Sequence, residues 1–382
     1  MVSIASPEEL PVASGLDWLT AQRQQFAARV EAAEWPSPET EIWRYSRISE
    51  LNPSIFAYAS AASSVDGPPS VLAGHDDTLA RTGDDSLDVF SDMALAYANP
   101  TVIRIANGEI IAQPIVIHHT APAGKVVYTW LVVEVGPNAE ASVVEQFTGG
   151  GGLVVSLVEL RVAQAGRLRY QSENLLSDDT WLITNQRAAA DRDSTIRLGS
   201  ASFGGHYSRV RTDVRLVGQG AHAEQVGLSF GEGSQMHDFR VSQTHAAPRT
   251  TSDLLFKSAV EGSARSVYTG MIHIDKNARG STAFQTNRIV KLSEDAWAES
   301  VPNLDIENND VKCSHASTVG PVDPEQRFYL ESRGIPTSVA DRLIVLGFFD
   351  DVITRLPIAS SRAVLRQSVA DKLDRRAAEV SV

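Results

Sequence analysis

The alternation of hydrophobic and polar positions divides the chain into a helical start, a long β-rich middle and a helical end. Residues 14–35 are predicted to form an amphipathic helix, because Phe26 and Val30 fall on one face. Ser14 stands three residues before Asp17, which is the spacing of a helix-capping box. Residues 1–95 are therefore expected to form a helical or irregular N-terminal region.

Short β-rich runs fill residues 96–322, which are expected to form the core of the protein. The most apolar run, Val126–Val135, is too short to cross a bilayer and is expected to be a buried strand. Turn signals recur at steps of 27, 27 and 28 residues, near positions 139, 166, 193 and 221. A near-constant step is typical of a solenoid of stacked β coils, although a β-sandwich fits the same texture. The spacing is expected to lose its regularity after residue 250.

Helical signals return in residues 323–382, the predicted C-terminal region. Asp323 offers an N-cap, followed by a first-turn proline at Pro324 and by Gln326 at the third helical position. Gly334 is positioned to end this helix. These helices are interpreted either as a lever for a partner or as caps on an open β edge.

Two more helices are predicted beyond the first. One opens at Ser338 and Asp341, and the other spans Ser361–Arg376. The apolar residues expected on one face of each are Val339, Leu343 and Leu346, then Leu365, Val369 and Leu373.

The charge of the chain limits its partners. It has 382 residues, a formal net charge of -13 and a pI near 5.2. An acidic chain lacks the basic surface that binding to nucleic acid or to an anionic membrane requires. Glu8 and Glu9 stand where a signal peptide would carry positive charge before an apolar run. We therefore expect a cytoplasmic protein without nucleic-acid or membrane partners.

Cys313 is the single cysteine, which excludes an intramolecular disulfide and fits a reducing compartment. An iron-sulfur cluster usually takes four protein ligands, mostly thiolates, so any cluster would have to be shared with another subunit. A phosphate-binding G-x-x-x-x-G-K-[ST] loop is missing from the sequence, since Gly124-Lys125 lacks the earlier glycine and the following hydroxyl. The chain is not expected to have an ATP site of its own.

Cys313 and His315 are the candidate metal ligands. If Val311–His315 forms a strand, both side chains lie on one face, where a thiolate and an imidazole can converge on one soft metal. A neighbouring imidazolium would also lower the pKa of the cysteine. The alternative is an inward face with a core cysteine and a hydrogen-bonded core histidine.

The other histidine and glycine patterns do not predict a metal site or a phosphate-binding site. His118 and His119 cannot point to the same side of a strand, so a shared metal site is not expected there. Gly149–Gly152 is expected to be a turn between strands rather than a phosphate-binding loop. The polar residues expected on turn and coil surfaces are His237, Asp238, His245 and His273.

A wider pattern surrounds Cys313. The C-x-H strand is followed by Gly320 and then by a helix that carries Phe328-Tyr329-Leu330 and ends in Ser332-Arg333-Gly334. From Pro302 to Phe348 this pattern resembles the C-terminal signature of the SufB/SufD family of iron-sulfur cluster assembly proteins. The chain departs from the family pattern at Ala316, where glycine is common, and at Pro321.

The SufD branch of that family is favoured over the SufB branch. Trp43-Arg44-Tyr45 matches the amino-terminal element of the SufD branch, and Ser314 lies between Cys313 and His315. The short chain and the lack of further cysteines agree with this branch. The alternative is a SufB-like paralogue.

The resemblance implies a mainly β fold, a right-handed parallel β-helix flanked by N-terminal and C-terminal helical regions. It implies a non-catalytic scaffold subunit of a SufBCD complex, which pairs with a SufB-like paralogue and docks a SufC-like ATPase through its C-terminal helices. Cys313 and His315 would form a site at the SufB interface for a transient, shared iron-sulfur cluster. Flavin involvement and homodimer formation by the isolated chain are left open.

Two other function classes make different demands on the sequence. A carbohydrate-active β-helix enzyme would need paired carboxylates about 5 to 10 Å apart in an exposed groove, and no such pair is recognisable in the sequence. A purely structural interaction protein would keep the interface without the metal function. In that case His315→Ala would leave cluster assembly unaffected.

Overall fold

A computed structural model describes residues 5–7, 17–72 and 86–380, with side chains to residue 375. Its strands, in the described residues, form two nine-stranded sheets. The odd-numbered strands form one sheet, called here the odd sheet: β1 (Ala57–Tyr58), β3 (Pro100–Ile105), β5 (Lys125–Val135), β7 (Leu153–Val162), β9 (Trp181–Ala190), β11 (Tyr207–Leu216), β13 (Met236–His245), β15 (Arg265–Ile274) and β17 (Trp297–Ile306). The even-numbered strands form the even sheet: β2 (Ala62–Asp66), β4 (Ile115–Ala121), β6 (Glu140–Gly149), β8 (Arg167–Asn174), β10 (Thr195–Ser202), β12 (His222–Gly231), β14 (Thr251–Val260), β16 (Thr282–Lys291) and β18 (Lys312–Pro321).

The chain alternates between the two sheets, so each coil contributes one strand to each of them. From β4 onward each strand pairs in parallel with the strand two places later, as where Leu153 pairs with Trp181 and Tyr207 pairs with Met236. The pair β2 and β4 is antiparallel. This arrangement is a parallel β-solenoid of about eight coils, with helices at both ends, and it rules out the β-sandwich.

One column of turns sets the spacing of the coils. Its members have positive φ angles between 54° and 75°: Gly108, Asn138, Ala165, Asp193, Gly220, Arg249 and Gly280. In each of them the backbone N–H donates to a carbonyl in the corresponding turn of the next coil, at 2.6 to 3.2 Å. The column continues past residue 250, so the expected loss of regularity was wrong. Arg249 is not a residue type that favours left-handed backbone. Its conformation comes from the hydrogen bonds between the stacked turns.

The N-terminal helices cover the outward face of the odd sheet. They are α1 (Asp17–Ala32) and α2 (Val89–Tyr97). The buried face predicted for the first helix is confirmed, since Phe26 and Val30 join a core that includes Trp130 and Val155 of the sheet. The predicted cap Ser14 lies outside the described residues.

Two strands and several short helices of the N-terminal region escaped prediction. Strands β1 and β2 extend the two sheets from within a segment that was expected to be helical or irregular. These strands have little local sequence signal, because they are short and lie at sheet margins. Short 3-10 helices of this region occur at Glu41–Trp43, Ile48–Glu50, Pro53–Ile55 and Pro69–Val71, and a further one lies between α4 and α5 at Ala359–Ser361.

Three helices follow the last strand: α3 (Pro324–Ser332), α4 (Thr337–Arg355) and α5 (Arg362–Val380). The capping prediction for the first is confirmed, because the Asp323 carboxylate accepts from the backbone N–H groups of Glu325 and Gln326. The predicted buried face of the third helix is also confirmed by the burial of Leu365, Val369 and Leu373.

The predicted face and start of α4 are not those observed. The helix begins at Thr337, and Val339 and Leu343 are exposed. The buried face instead carries Val345 and Phe349, because it packs against the even sheet. None of the helices in the described part of the chain is long and apolar enough to span a membrane.

Helices α4 and α5 lie against a face of the even sheet, whereas α3 has no buried residue. Phe349 stacks on Phe230 of β12 with 5.9 Å between ring centroids, and Lys257 of β14 forms an ion pair with Asp351 at 2.7 Å. Leu365 of α5 joins the same apolar cluster. Because these contacts bury apolar surface of the even sheet, α4 and α5 are part of the core of the protein.

Candidate functional site

The candidate ligands lie on the last strand of the solenoid. β18 pairs with β16 on one side, and in the described residues no strand covers its other side. Its residues are mostly exposed, whereas the equivalent positions of β16 alternate between buried and exposed. The C-x-H pattern therefore stands at an open sheet edge, the place where a solenoid can accept another strand.

Strand register shows which way Cys313 and His315 point. Cys313 pairs with Ala283 and His315 pairs with Gln285. Both partners on β16 are buried and face the interior of the solenoid. The predicted alternation is therefore confirmed: the thiol and the imidazole lie on the same, inward-facing side of β18.

The surroundings of the two groups differ. Cys313 is half-buried and packs in a small apolar cluster with Leu304 and Val311. Burial raises the pKa of the Cys313 thiol, so the expected lowering by His315 was wrong. The reason is that apolar neighbours disfavour the thiolate. His315 is exposed, and no hydrogen bond from its ring is found within the described ranges.

Polar side chains lie in the interior of the solenoid next to the open edge, and Gln285, Ser300 and Ser317 are called the polar floor here. Both amide atoms of Gln285 are buried and lack a hydrogen-bond partner among the described residues. Nearby, Ser317 donates to the Oγ of Ser300 at 2.7 Å, which joins the two sheets across the interior. Gly270 leaves room for this floor, because an added Cβ would lie 2.4 Å from Gln285 Oε1.

The ligand set is small. In the part of the chain that the structure describes, no three His, Cys, Asp or Glu side chains are close enough together to hold a metal ion. Cys313 and His315 thus contribute at most two ligands, while a metal or cluster usually needs more.

The Trp43-Arg44-Tyr45 element runs along the odd sheet from β11 to β17. The Arg209 guanidinium lies 3.9 Å from the centre of the Trp43 ring. Arg240 donates to the backbone carbonyl of Arg44 at 2.5 Å, and the Tyr45 ring lies 5.9 Å from that of Trp297 at the start of β17. This N-terminal element therefore supports the coil that carries the candidate site.

Comparison with known proteins adds a family assignment. Residues 117–348 match the family described as "SUF system FeS cluster assembly, SufBD core domain". The chain belongs to the SufB/SufD family. It is 32% identical over 362 residues to an iron-sulfur cluster assembly SufBD family protein of Mycobacterium tuberculosis, covering 90% of this chain and 91% of that protein. A SufBD family protein of Mycobacterium leprae is 32% identical over 377 residues, or 94% of this chain and 96% of that protein.

One relative carries the name of a branch. The iron-sulfur cluster assembly protein SufD of Bacillus subtilis is 34% identical over 203 residues, which cover 53% of this chain and 46% of that protein. The SufD resemblance seen in the sequence is supported by this match. Membership in the SufB/SufD family makes the chain a component of a Suf system for iron-sulfur cluster assembly.

A second surface of this SufB/SufD family member is apolar and exposed. Phe328 and Tyr329 of α3 are 71% and 58% exposed, and Leu343 of α4 lies nearby at 45%. A groove of about 1000 Å³ runs between these helices and the end of the even sheet. The family signature thus places its Phe-Tyr pair in solvent, and packing within the chain does not explain it.

The remaining predicted residues fall into two groups. His118 is exposed and His119 is buried, which confirms that they point to opposite sides of β4. Gly149–Gly152 links β6 to β7 as expected, and its turn is held by a hydrogen bond of 2.8 Å from Gly151 N–H to Asp179.

The expectation for the other histidines was largely wrong. His237, Asp238 and His245 are fully buried within β13, each with hydrogen bonds to neighbouring coils or turns. They were missed because a polar residue paired inside a solenoid has the same sequence signature as one in solvent. His273 is more exposed and lies between Asp275 and Asp305. Burial lowers its pKa, but the hydrogen bonds and charges of Asp305 and Asp275 together outweigh burial and raise it.

Proposed function

We propose that this chain is a SufD-like scaffold subunit of a SufBCD-type complex, which pairs with a SufB-like paralogue and carries a SufC-like ATPase. The observation that carries the proposal is the pair Cys313 and His315. They face one way on a terminal strand that, among the described residues, has no second strand neighbour and too few ligands to complete a metal site. The full-length likeness to SufBD family proteins supports it.

The open end offers a means of pairing. β17 and β18 are each ten residues long, and each has one strand neighbour in its sheet among the described residues. Backbone N–H and C=O groups on such edges form hydrogen bonds with strands of a partner. A paralogue with the same solenoid would extend both sheets at once, and its own ligands would then approach Cys313 and His315.

The nascent cluster is the cargo of this interface. Cys313 would bind it through the thiolate and His315 through a neutral imidazole nitrogen, both of which suit iron. Since the pKa of the Cys313 thiol is raised, the isolated chain keeps the thiol protonated. We therefore expect cluster binding only after the partner supplies further ligands and positive charge.

The ATPase is proposed to dock on α3 and α4. Energy from ATP must come from another subunit, because the sequence has no phosphate-binding loop. Phe328, Tyr329 and Leu343 provide an apolar surface with aromatic anchors, the residue types that dominate protein interfaces. Movement of the ATPase would reach the even sheet through Phe349, which packs on that sheet.

Anaerobic reconstitution of the co-expressed three-subunit complex tests the cluster site. His315→Ala should lower bound iron and cluster absorbance while the complex still elutes as one species. His118→Ala is a matched control, since His118 is also an exposed histidine on the even sheet but lies in β4, near the opposite end of the solenoid. Equal cluster loading in both variants would mean that His315 does not bind the cluster and that the chain is a purely structural partner.

A pull-down tests the docking surface. Phe328→Asp should abolish capture by the ATPase subunit, because it puts a charge into the proposed contact. Val364→Asp is the control, since Val364 is 58% exposed on α5, away from α3. Deleting the helices would be a poor test, because α4 and α5 supply core residues such as Phe349. Unchanged capture of the Phe328 variant would refute this docking site.

The branch assignment has its own test. Native mass spectrometry of the chain mixed with a SufB-like paralogue should show mostly heterodimer. A chain that stays monomeric or only self-associates in this mixture would contradict the SufD-like role.

A further inference from the structure

A small cavity lies in the first coil of the solenoid, at the end opposite Cys313. Its volume is about 180 Å³. The polar side chains that line it include Ser63, His119, Thr129 and Asn99, and three tyrosines, Tyr58, Tyr97 and Tyr128, form much of its wall. Neither cluster assembly nor partner docking accounts for it.

Ser63, His119 and Glu145 form a hydrogen-bonded chain beside this cavity. Ser63 and His119 lie directly opposite each other on the antiparallel strands β2 and β4. The Ser63 Oγ is 2.7 Å from His119 Nδ1, and His119 Nε2 is 2.9 Å from Glu145 Oε1. The three groups thus follow the order nucleophile, base and orienting carboxylate.

The proton positions follow from the partners of Glu145. The Tyr170 hydroxyl donates to the second oxygen of this carboxylate. Burial and the adjacent Glu145 raise the pKa of Tyr170 well above its ordinary value, so it stays a neutral donor. The other oxygen of Glu145 accepts from the Nε2–H of His119, which leaves the lone pair on Nδ1 to accept from Ser63.

The exposure of the three residues is graded in the way a nucleophilic site requires. Ser63 is exposed, His119 is 5% exposed and Glu145 is 0% exposed. The His119 ring is also held by Phe147, with ring centroids 5.0 Å apart. An incoming molecule can reach the serine while the base and the carboxylate keep their orientation.

Thr129 supplies a second polar group. It is buried, it lines the cavity, and its Oγ1 has no hydrogen-bond partner among the described residues. A hydroxyl without a partner is costly to bury, so something in the cavity is expected to bind it. In acyl transfer such a donor stabilises the oxyanion that develops on the carbonyl oxygen.

We propose that Ser63 is a nucleophile that accepts a short acyl group from an activated ester or thioester. Its Oγ attacks the carbonyl carbon as the proton passes to His119 Nδ1. The bond to the leaving oxygen or sulfur then breaks, and His119 returns the proton to that leaving group. In hydrolysis, water attacks the acyl carbon and gives a proton to His119. The bond from that carbon to Ser63 Oγ then breaks, and His119 passes the proton to Oγ.

The size of the cavity limits the acyl group. A water molecule takes about 30 Å³ of liquid, so 180 Å³ holds roughly six heavy atoms. An acetyl to butyryl group fits, whereas a long fatty acyl chain does not. This inference is independent of the proposed role in cluster assembly.

The test uses p-nitrophenyl acetate with the full-length chain. Wild type should release p-nitrophenolate and gain one acetyl group, mapped to Ser63 by peptide mass spectrometry. Ser63→Ala should lose both signals, and its fold should be intact because the side chain is exposed. His119→Gln should slow acetylation by about 100-fold or more if the imidazole acts as the base.

The neighbouring pair provides matched controls. Ser64 pairs with His118 on the other face of the same two strands. Ser64→Ala and His118→Gln should leave the acetylation rate unchanged. Thermal melting checks that His119→Gln is folded, and if it is not, Ser63→Cys should still be acylated in an otherwise native site. Acetylation that persists in Ser63→Ala, or that does not exceed that of the unfolded chain, would overturn the proposal.

Discussion

Asp238→Asn probes the buried charge cluster that anchors the Trp43-Arg44-Tyr45 element. Asp238 is fully buried in β13 and accepts hydrogen bonds from Tyr207 at 2.7 Å, Arg209 at 3.0 Å and Arg240 at 2.5 Å. Burial opposes its ionisation, but the guanidinium groups of Arg240 and Arg209 outweigh this and hold the pKa of Asp238 below its ordinary value. The carboxylate is therefore the charge that keeps two arginines buried.

The size of the expected destabilisation follows from the two buried arginines that Asp238→Asn leaves without a counter-charge. Asparagine has nearly the same shape, so packing is preserved, but Arg209 and Arg240 lose their common counter-charge. Breaking a buried ion pair from one side costs about 3 to 5 kcal/mol. Both arginines also bind the N-terminal segment, through the carbonyls of Ile42 and Arg44, so we expect the loss to loosen that segment first.

Two assays follow the effect. Urea denaturation should show a free energy of unfolding lower by about 3 to 5 kcal/mol, and limited proteolysis should cut near Trp43 earlier than in wild type. Asp213→Asn is the control, because Asp213 pairs with Arg211 at a partly exposed site. A change below about 1 kcal/mol, with no new cleavage, would refute the view that this charge cluster anchors the segment.

Three further predictions concern the core. His237 is buried, and burial and Lys372 lower its pKa to about 3. The contribution of His237 to the free energy of unfolding should therefore be full above pH 6.5 and should be lost as the pH drops toward 3. In His237→Gln, the free energy of unfolding should depend less steeply on pH over this range. Phe349→Ala should lower the free energy of unfolding by about 3 to 5 kcal/mol, because it opens a cavity under α4; denaturation with circular dichroism measures this. Gly270→Ala should cost about 1 to 3 kcal/mol, because the new Cβ would press on Gln285. A melting curve beside that of Gly320→Ala, where an added Cβ would have no neighbour within 4 Å, checks it.

The solenoid could be predicted from the sequence where its turns carry a local signal. Asn138, Gly220 and their neighbours accept left-handed backbone readily, so their spacing revealed the coils. Arg249 has no such preference, so the turn at this position could not be predicted from the sequence. The conformation of Arg249 depends on hydrogen bonds to the turn of the next coil, which no local pattern encodes.

The candidate site was partly visible for similar reasons. Alternation along β18 placed Cys313 and His315 on one face, because a strand fixes the direction of every second side chain. The raised pKa of the Cys313 thiol and the unpaired amide of Gln285 depend on packing between coils, so the sequence did not reveal them. The exposure of Leu343 was missed because the helix pattern allowed two apolar faces, and only contact with the even sheet decides which one is buried.

Because its left-handed turns stack in one column, the solenoid can become longer or shorter by whole coils. Each turn bonds only to its neighbours along the axis, and successive members from Asn138 to Gly280 are 27 to 31 residues apart. A whole coil inserted between two such turns would meet the same hydrogen-bonding pattern above and below it. Evolution or a protein engineer can therefore change the distance between the first-coil cavity and the open end carrying Cys313 without redesigning either end.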